Sequence, residues 1–441
     1  MSFSSGPRGL PLVGHVPAFA RDRLGFLSSC AATYGDVVRL HLGRPTWLLT
    51  GAEDLRHVLV TRPAAYGKSD RIAGRLGSRL LGRGLLTSGG RDHRRQRRSL
   101  TPVFQRDLLG ALGGVTMDVV AERLGTWRAG ETIDLRIESR AIAQRVMLQS
   151  LFGRDGMSPP VVAAVDTHRR HYERTMTAAA PFGPWTWARW RFRHRPALRV
   201  IEAALLRAVA DRRRHDGRDD LLSMLAALRD EDGELLPGDR VVQEALSYIN
   251  AGYETVAASI AWTWMLLAAH PQCLQQIADE VSTTLGATPP AVASLPALTY
   301  TRMVVSESLR LYPPAWMFVR MALEDDRLPS GVSIAKGEKL VFCPYATHRN
   351  PKYFEEPLAF RPERFAENEH TRPSLSYLPF GAGPYTCVGE PLARAECALV
   401  VAAVAQRFRL VPAPSRLVIE ASTVLRAREG LRVSLESRTN R

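Results

Sequence analysis

Hydrophobic and polar positions change their period along this chain. Residues 36–42 (DVVRLHL) and 46–50 (TWLLT) alternate and are rich in β-branched side chains, which predicts two short strands and a small sheet. From about residue 105 to 280 apolar positions recur at helical spacing, broken at 153–160, at 181–196 and near Pro237-Gly238. The longest apolar stretch, residues 256–269, is too short to span a bilayer and begins just after Glu254, so it reads as a buried core helix. Short strands and turns return after Pro313. Leu392, Ala395, Leu399, Val400 and Val404 then place a last helix after Cys387. The predicted fold class is mainly α with small β-sheets (α+β). No low-complexity linker or internal repeat divides the 441 residues, so the chain is read as one domain, 1–441.

Composition narrows the partners. Lys plus Arg number 59 against 44 Asp plus Glu, a net charge of +15 that comes almost entirely from arginine. Such a balance suits nucleic acid, a membrane surface or an acidic protein. Zinc-finger spacing and RNA-binding aromatic motifs are missing, which disfavours nucleic acid and leaves an acidic electron-transfer protein as the more economical partner. Scattered arginines that only keep the surface soluble are the alternative. The five cysteines are odd in number and form no Cys-x-x-Cys pair, pointing away from disulfides and zinc and towards a reducing cytosol. Residues 1–19 carry Pro7, Pro11 and Pro17 without a long apolar run, so neither a signal peptide nor a transmembrane anchor is expected, and the location expected is cytoplasmic. In residues 185–196 tryptophan and arginine interleave, as suits either a peripheral membrane contact or a solvated loop.

Three motifs carry chemistry. In FGAGPYTCVG, residues 380–389, Gly381 and Gly383 allow a tight loop that delivers the Cys387 thiol to the start of the last helix. Loop amides and the helix dipole both lower a thiol pKa, and a lone thiolate suits a soft metal or heme iron. A lone cysteine is by residue type more often buried and inert; the flanking Phe380 and glycines argue otherwise. Within the long helical run, Ala251-Gly252-Tyr253-Glu254-Thr255 contains a mid-helix glycine, which costs about 1 kcal/mol relative to alanine and implies that something approaches the backbone there. Glu307 and Arg310 share one face of a helix that Pro313-Pro314 stops, a spacing that alone describes an ordinary surface pair.

The Phe-x-x-Gly-x-x-x-Cys-x-Gly loop resembles the heme-binding signature of the cytochrome P450 family, and other segments similar to that family cover most of the chain. The resemblance implies the P450 fold, with heme b held between the long central helix and the Cys-loop helix and Cys387 as its thiolate axial ligand. Phe380, Gly381, Gly389 and Tyr385 of the same loop would be heme-binding residues. His93 and Arg97, one helical turn apart in HRRQRR, and Arg320 would contact the heme propionates, and the outer arginines of that helix would dock an acidic redox protein. Position 385 is commonly Arg or His in the family and is Tyr385 here, which puts one propionate salt bridge in doubt. Ala251, Gly252, Glu254 and Thr255 would handle dioxygen, with Thr255 relaying protons fed by Glu254. Arg364, in Pro362-Glu363-Arg364-Phe365, would join Glu307 and Arg310 in a buried structural triad. By position relative to these motifs, Ile72, Leu85, Leu86, Ile249, Ala315, Trp316, Phe318, Thr423 and Val424 would line an apolar substrate pocket.

The implied activity is a soluble, bacterial-type monooxygenase, a monomer, that inserts one oxygen atom from dioxygen into a hydrophobic small molecule. Without a dinucleotide fingerprint or room for a flavin domain, its electrons would come from a ferredoxin and a ferredoxin reductase. The N-terminal segment PRGLPLVGH and residues 89–104 resemble anchored eukaryotic members and soluble actinobacterial terpenoid oxidases more than the shortest bacterial members of the family, and that resemblance leans the substrate towards a terpenoid or polyketide of specialised metabolism. A peroxide-driven fatty-acid oxidase and a non-catalytic heme sensor or carrier are the alternatives. The sensor would keep Cys387 and have no use for Glu254-Thr255.

Overall fold

The computed structural model describes residues 6–104, 108–153, 158–177, 188, 190–215, 220–366 and 373–438. They group into two compact units, the first made of residues 1–69 and 303–387 and the second of residues 70–302 and 388–441. Helices dominate and the strands form small sheets, as the hydrophobic pattern predicts.

The first unit is built on a five-stranded sheet in the order Val37–His41, Pro45–Leu49, Lys339–Phe342, Phe318–Ala322, Tyr66–Lys68. The two strands expected near the N-terminus form an antiparallel hairpin, Val37 opposite Leu49. Pro45–Leu49 pairs parallel with Lys339–Phe342, and every other neighbour is antiparallel. One face buries Leu49, Tyr66, Leu340 and Phe342 with Leu55 and Leu59, and Leu378 and Ala382 of the cysteine loop pack into the same cluster. Burial of this kind is worth roughly 1.5–3 kcal/mol per large apolar side chain, so the loop has a firm base.

The second unit is organised around the helix Gly238–Ala269, 32 residues long. It starts after Pro237 and stops before the Pro271 of the next helix, since proline is tolerated in a helix's first turn and not within it. At 1.5 Å per residue it is about 48 Å long. It packs on the helices Leu135–Phe152, Arg195–Arg214 and Glu390–Arg407, and Trp262 Nε1 donates to the Leu425 carbonyl at 3.0 Å. The apolar run 256–269 is its most buried stretch, as expected of a core helix. Two small antiparallel sheets complete the unit: Thr132–Asp134, Arg432–Ser437 and Phe408–Pro412, and the hairpin Val418–Ala421 with Leu425–Glu429. Of the Trp/Arg segment, residues 185–187 and 189 lie outside the described residues. Trp190–His194 forms a π-helical turn that leads into Arg195–Arg214.

Candidate functional site

Four cysteines are buried and one, Cys387, is exposed. Burial pushes the Cys30 thiol up to about 11 and the Cys343 thiol up to about 12, and raises Cys397 further, so these remain protonated and inert. Cys387 is presented by a loop whose shape depends on glycine. Gly381 and Gly383 have φ of 72° and 68°, and a Cβ on Gly383 would run into the Leu59 carbonyl oxygen. The Cys387 N–H donates to the Phe380 carbonyl at 2.9 Å and the Thr386 hydroxyl to the Gly383 carbonyl at 2.8 Å, closing the loop on itself. Helix Glu390–Arg407 begins only after Gly389, so Cys387 sits three residues ahead of its first turn rather than within it.

In the same unit Arg320 is 9 % exposed. Its Nη1 donates to the Val319 carbonyl at 3.1 Å, and its guanidinium lies 5.2 Å from the Phe318 ring centroid and 4.8 Å from that of Tyr385. Among the described residues no carboxylate pairs with it. Desolvation pulls its pKa down to about 10. A buried cation without an acid is costly, and an anionic group brought by a ligand would offset that cost, so the site fits a heme propionate. Tyr385 brings no charge, yet its ring faces two cations, since Lys68 Nζ lies 5.2 Å from the same centroid. Lys68 stands opposite Arg320 in the strand register. The sequence reading missed it, because only the sheet pairing brings the two together.

The expected triad forms. Glu307 and Arg310 are both fully buried, with Arg310 Nε to Glu307 Oε2 at 2.7 Å and Nη2 to Oε1 at 2.8 Å. Arg364 Nε donates to Glu307 Oε1 at 3.0 Å, and the Arg361 amide does so at the same distance. The remaining Arg310 donors reach the carbonyls of His348, Pro357 and Ala359, so all five guanidinium N–H groups are satisfied. His348, which sequence reasoning did not single out, extends the triad towards the cysteine loop. Its Nε2 accepts from the Leu378 amide at 2.9 Å, which assigns the ring proton to Nδ1, facing the Arg310 carbonyl at 3.1 Å.

Burial, outweighing the backbone hydrogen bond, drives the His348 pKa down to about 3, so the folded protein keeps this ring neutral. An unfolded histidine titrates near 6.5. Between those values the unfolded chain binds the extra proton, so this contribution to stability is complete above pH ~6.5 and is lost as pH falls towards ~3. His348→Gln is expected to be less stable at neutral pH but to show a flatter loss of stability between pH 6.5 and 4, read from denaturant unfolding at each pH.

In the second unit the central helix carries the other candidates. Thr255 Oγ1 donates to the Ala251 carbonyl at 2.8 Å, the back-bond open to a threonine inside a helix. A Cβ on Gly252 would stand 3.3 Å from the Tyr248 ring of its own helix, a local packing reason for glycine beside the one read from the sequence. Glu254 faces arginines from three other elements: Arg140 Nε at 3.2 Å, Arg169 Nε at 3.4 Å and Arg426 Nη1 at 3.9 Å. Arg426 also pairs with Glu173 and, at 2.9 Å, with Glu420. The basic helix Gly90–Pro102 divides as expected. His93 is buried and Arg97 half-buried, whereas Arg91, Arg94, Arg95 and Arg98 are exposed.

Of the pocket candidates, Ile249 and Trp316 are almost completely buried, whereas Ile72, Leu85, Leu86, Phe318, Thr423 and Val424 are half-buried and Ala315 is exposed. Thr423 and Val424 form the turn of the hairpin that carries Arg426. A cleft of about 760 Å³ in the first unit, lined by Trp47, His57, Arg62 and Asp326 among others, contains none of them.

The family model described as Cytochrome P450 matches residues 4–428. A cyclooctat-9-en-7-ol 5-monooxygenase of Streptomyces melanosporofaciens is 34 % identical over 93 % of this chain and 90 % of its own length. Cyclooctatin synthase of the same organism is 35 % identical over 92 % and 90 %. A pentalenene oxygenase of Streptomyces avermitilis is 30 % identical over 99 % and 97 %.

Proposed function

We propose, since this chain belongs to the cytochrome P450 family and is a heme-thiolate monooxygenase, that it oxidises a cyclic terpenoid with electrons from a ferredoxin and its reductase. The observation that carries the substrate class is the full-length similarity to three relatives, two of them named for the oxygenation of cyclooctat-9-en-7-ol and pentalenene. Bound heme supplies the activation of dioxygen and the oxidation of the substrate carbon. The chain's residues supply the rest. Cys387 would ligate the iron from its glycine loop, and Arg320 with Lys68, held against the Tyr385 ring, would answer one propionate where the family more often has a cation at position 385. His93 and Arg97 answer the other propionate. The exposed arginines of Gly90–Pro102 form the docking face for an acidic ferredoxin.

Thr255 Oγ1 would hold and pass on a proton that the reduction of dioxygen needs, and Glu254 would replenish it. Glu254 stands within ion-pair distance of Arg140, Arg169 and Arg426, which orient its carboxyl on the central helix. Thr255→Ala is expected to leave heme content unchanged while most of the reducing equivalents go to peroxide and water instead of product. The check is the ratio of product to NAD(P)H consumed. An unchanged ratio would remove Thr255 from the relay.

The substrate class is tested by titrating the purified holoprotein with cyclic sesquiterpene and diterpene hydrocarbons and alcohols. A low- to high-spin optical shift is expected, followed by product with ferredoxin and reductase and slower reduction at high salt. If no terpenoid gives a shift or a product, the substrate assignment falls. Turnover on peroxide alone at the same rate would remove the ferredoxin.

A further inference from the structure

The cleft of about 760 Å³ in the first unit is lined by none of the residues assigned to the heme, the proton relay or the substrate. Its volume lies within the range of ~300–1,000 Å³ usual for small-molecule sites. The lining comes from the hairpin of Val37–His41 with Pro45–Leu49, from the segment that holds His57 and Arg62, and from the short hairpin Asp326–Arg327 with Ser333–Ile334. That short hairpin is firmly seated. Leu328, Val332 and Ile334 are buried in the same apolar cluster as Leu49 and Tyr66.

The carboxylates of the lining are already engaged from within the fold. The Asp326 side chain is 3 % exposed, accepts from the Tyr66 hydroxyl at 2.7 Å, stands 2.9 Å from His57 Nε2 and pairs with Arg62. Glu338 Oε2 accepts from Trp47 Nε1 at 2.8 Å and from the Ala335 amide at 3.0 Å, and Asp325 accepts from the Lys336 amide at 2.8 Å. Two guanidiniums are placed differently. Arg39 and Arg327 are exposed, and among the described residues neither pairs with a carboxylate. Arg39 instead lies 5.6 Å from the ring centroid of Trp47, its partner in the strand register. An anion entering the cleft would therefore meet cations without displacing a partner, whereas a cation would compete with bonds that the carboxylates already hold. Trp47 has its one N–H committed to Glu338, so its half-buried ring offers a ligand only apolar surface. A guanidinium beside an indole suits a flat acid better than a compact inorganic ion.

We propose that this cleft is a second ligand site, built from residues other than those assigned to the heme, that takes a small aryl acid, with the aromatic body against Trp47 and the acid group answered by Arg39 and Arg327. The site is independent of which substrate is oxidised.

The test is calorimetric titration of the full-length holoprotein with three probes: naphthalene-2-sulfonate, the uncharged naphthalene-2-methanol, and inorganic sulfate. The sulfonate is expected to bind with the heme spectrum unchanged. The other two should bind at least about tenfold more weakly, because each lacks either the charge or the apolar body. Arg39→Gln combined with Arg327→Gln should weaken the sulfonate by at least about tenfold, since hydrogen bonds to a charged group are lost. Both arginines are exposed, so heme content and thermal stability should stay at wild-type values. The proposal is overturned if the sulfonate does not bind, if either other probe binds as tightly, or if the double variant binds as well as wild type. Binding that shifts the heme spectrum and survives in the double variant would put the probe at the heme instead, and would overturn it equally.

Discussion

Cys387→Ala is expected to give a folded chain that has lost the thiolate signature of its reduced, carbon monoxide-bound heme and forms product more than about a hundredfold more slowly. The first half of the expectation follows from exposure. Cys387 is the exposed cysteine and contributes nothing to a core, and substitutions at such positions change stability by about 0.5 kcal/mol or less. The second half follows from its place as the one exposed cysteine, presented by a glycine loop closed on itself. Removing outer partners of a metal ligand costs ~10–100-fold, and removing the ligand should exceed that. Cys343→Ala and Cys397→Ala are the controls, since both thiols are buried. These should lower the melting temperature and keep the thiolate signature. If Cys387→Ala retained that signature, the assignment of the axial ligand would be wrong.

What could be read from the sequence was what lies at short, fixed spacing. The cysteine loop, the Glu307/Arg310 pair on one helix face and the split of the Gly90–Pro102 helix into buried His93 and exposed arginines all follow from local geometry. So do the two N-terminal strands and the long core helix. Features made by long-range pairing were not legible. Lys68 meets Arg320 and Tyr385 only because Tyr66–Lys68 is the edge neighbour of Phe318–Ala322. Tyr385, read from the sequence as a lost charge, turns out to be a ring that two cations face. The arginines around Glu254 come from the helices Leu135–Phe152 and Pro159–Thr177 and from the hairpin strand Leu425–Glu429, which no spacing rule links. His348 gave no signal, being a single histidine whose importance lies in backbone partners on either side of it.

Glu307→Ala should be the most damaging single change in the first unit, costing about 3–5 kcal/mol, a large share of the ~5–15 kcal/mol by which proteins are usually stable. The carboxylate takes two bonds from Arg310, one from Arg364 and one from the Arg361 amide. Its loss leaves Arg310 fully buried, charged, and with two of its five donors unmet. Arg364 is 10 % exposed and reaches water more easily, so Arg364→Ala should cost less, under about 2 kcal/mol. Replacing both buried partners, Glu307→Leu with Arg310→Met, removes the orphaned charge and should be milder than either single change, a sign pattern that a double-mutant cycle in thermal or denaturant unfolding reads directly. Because His348 links Arg310 to Leu378 at the root of the cysteine loop, heme should dissociate from Glu307→Ala at a lower temperature than that at which its helices melt. Coincident loss of heme and helix in that variant would limit the triad to global stability. A double variant at least as costly as the worse single would contradict the buried-charge account, since it would mean that the ion pair itself, rather than the unpaired charge left behind, sets the energy.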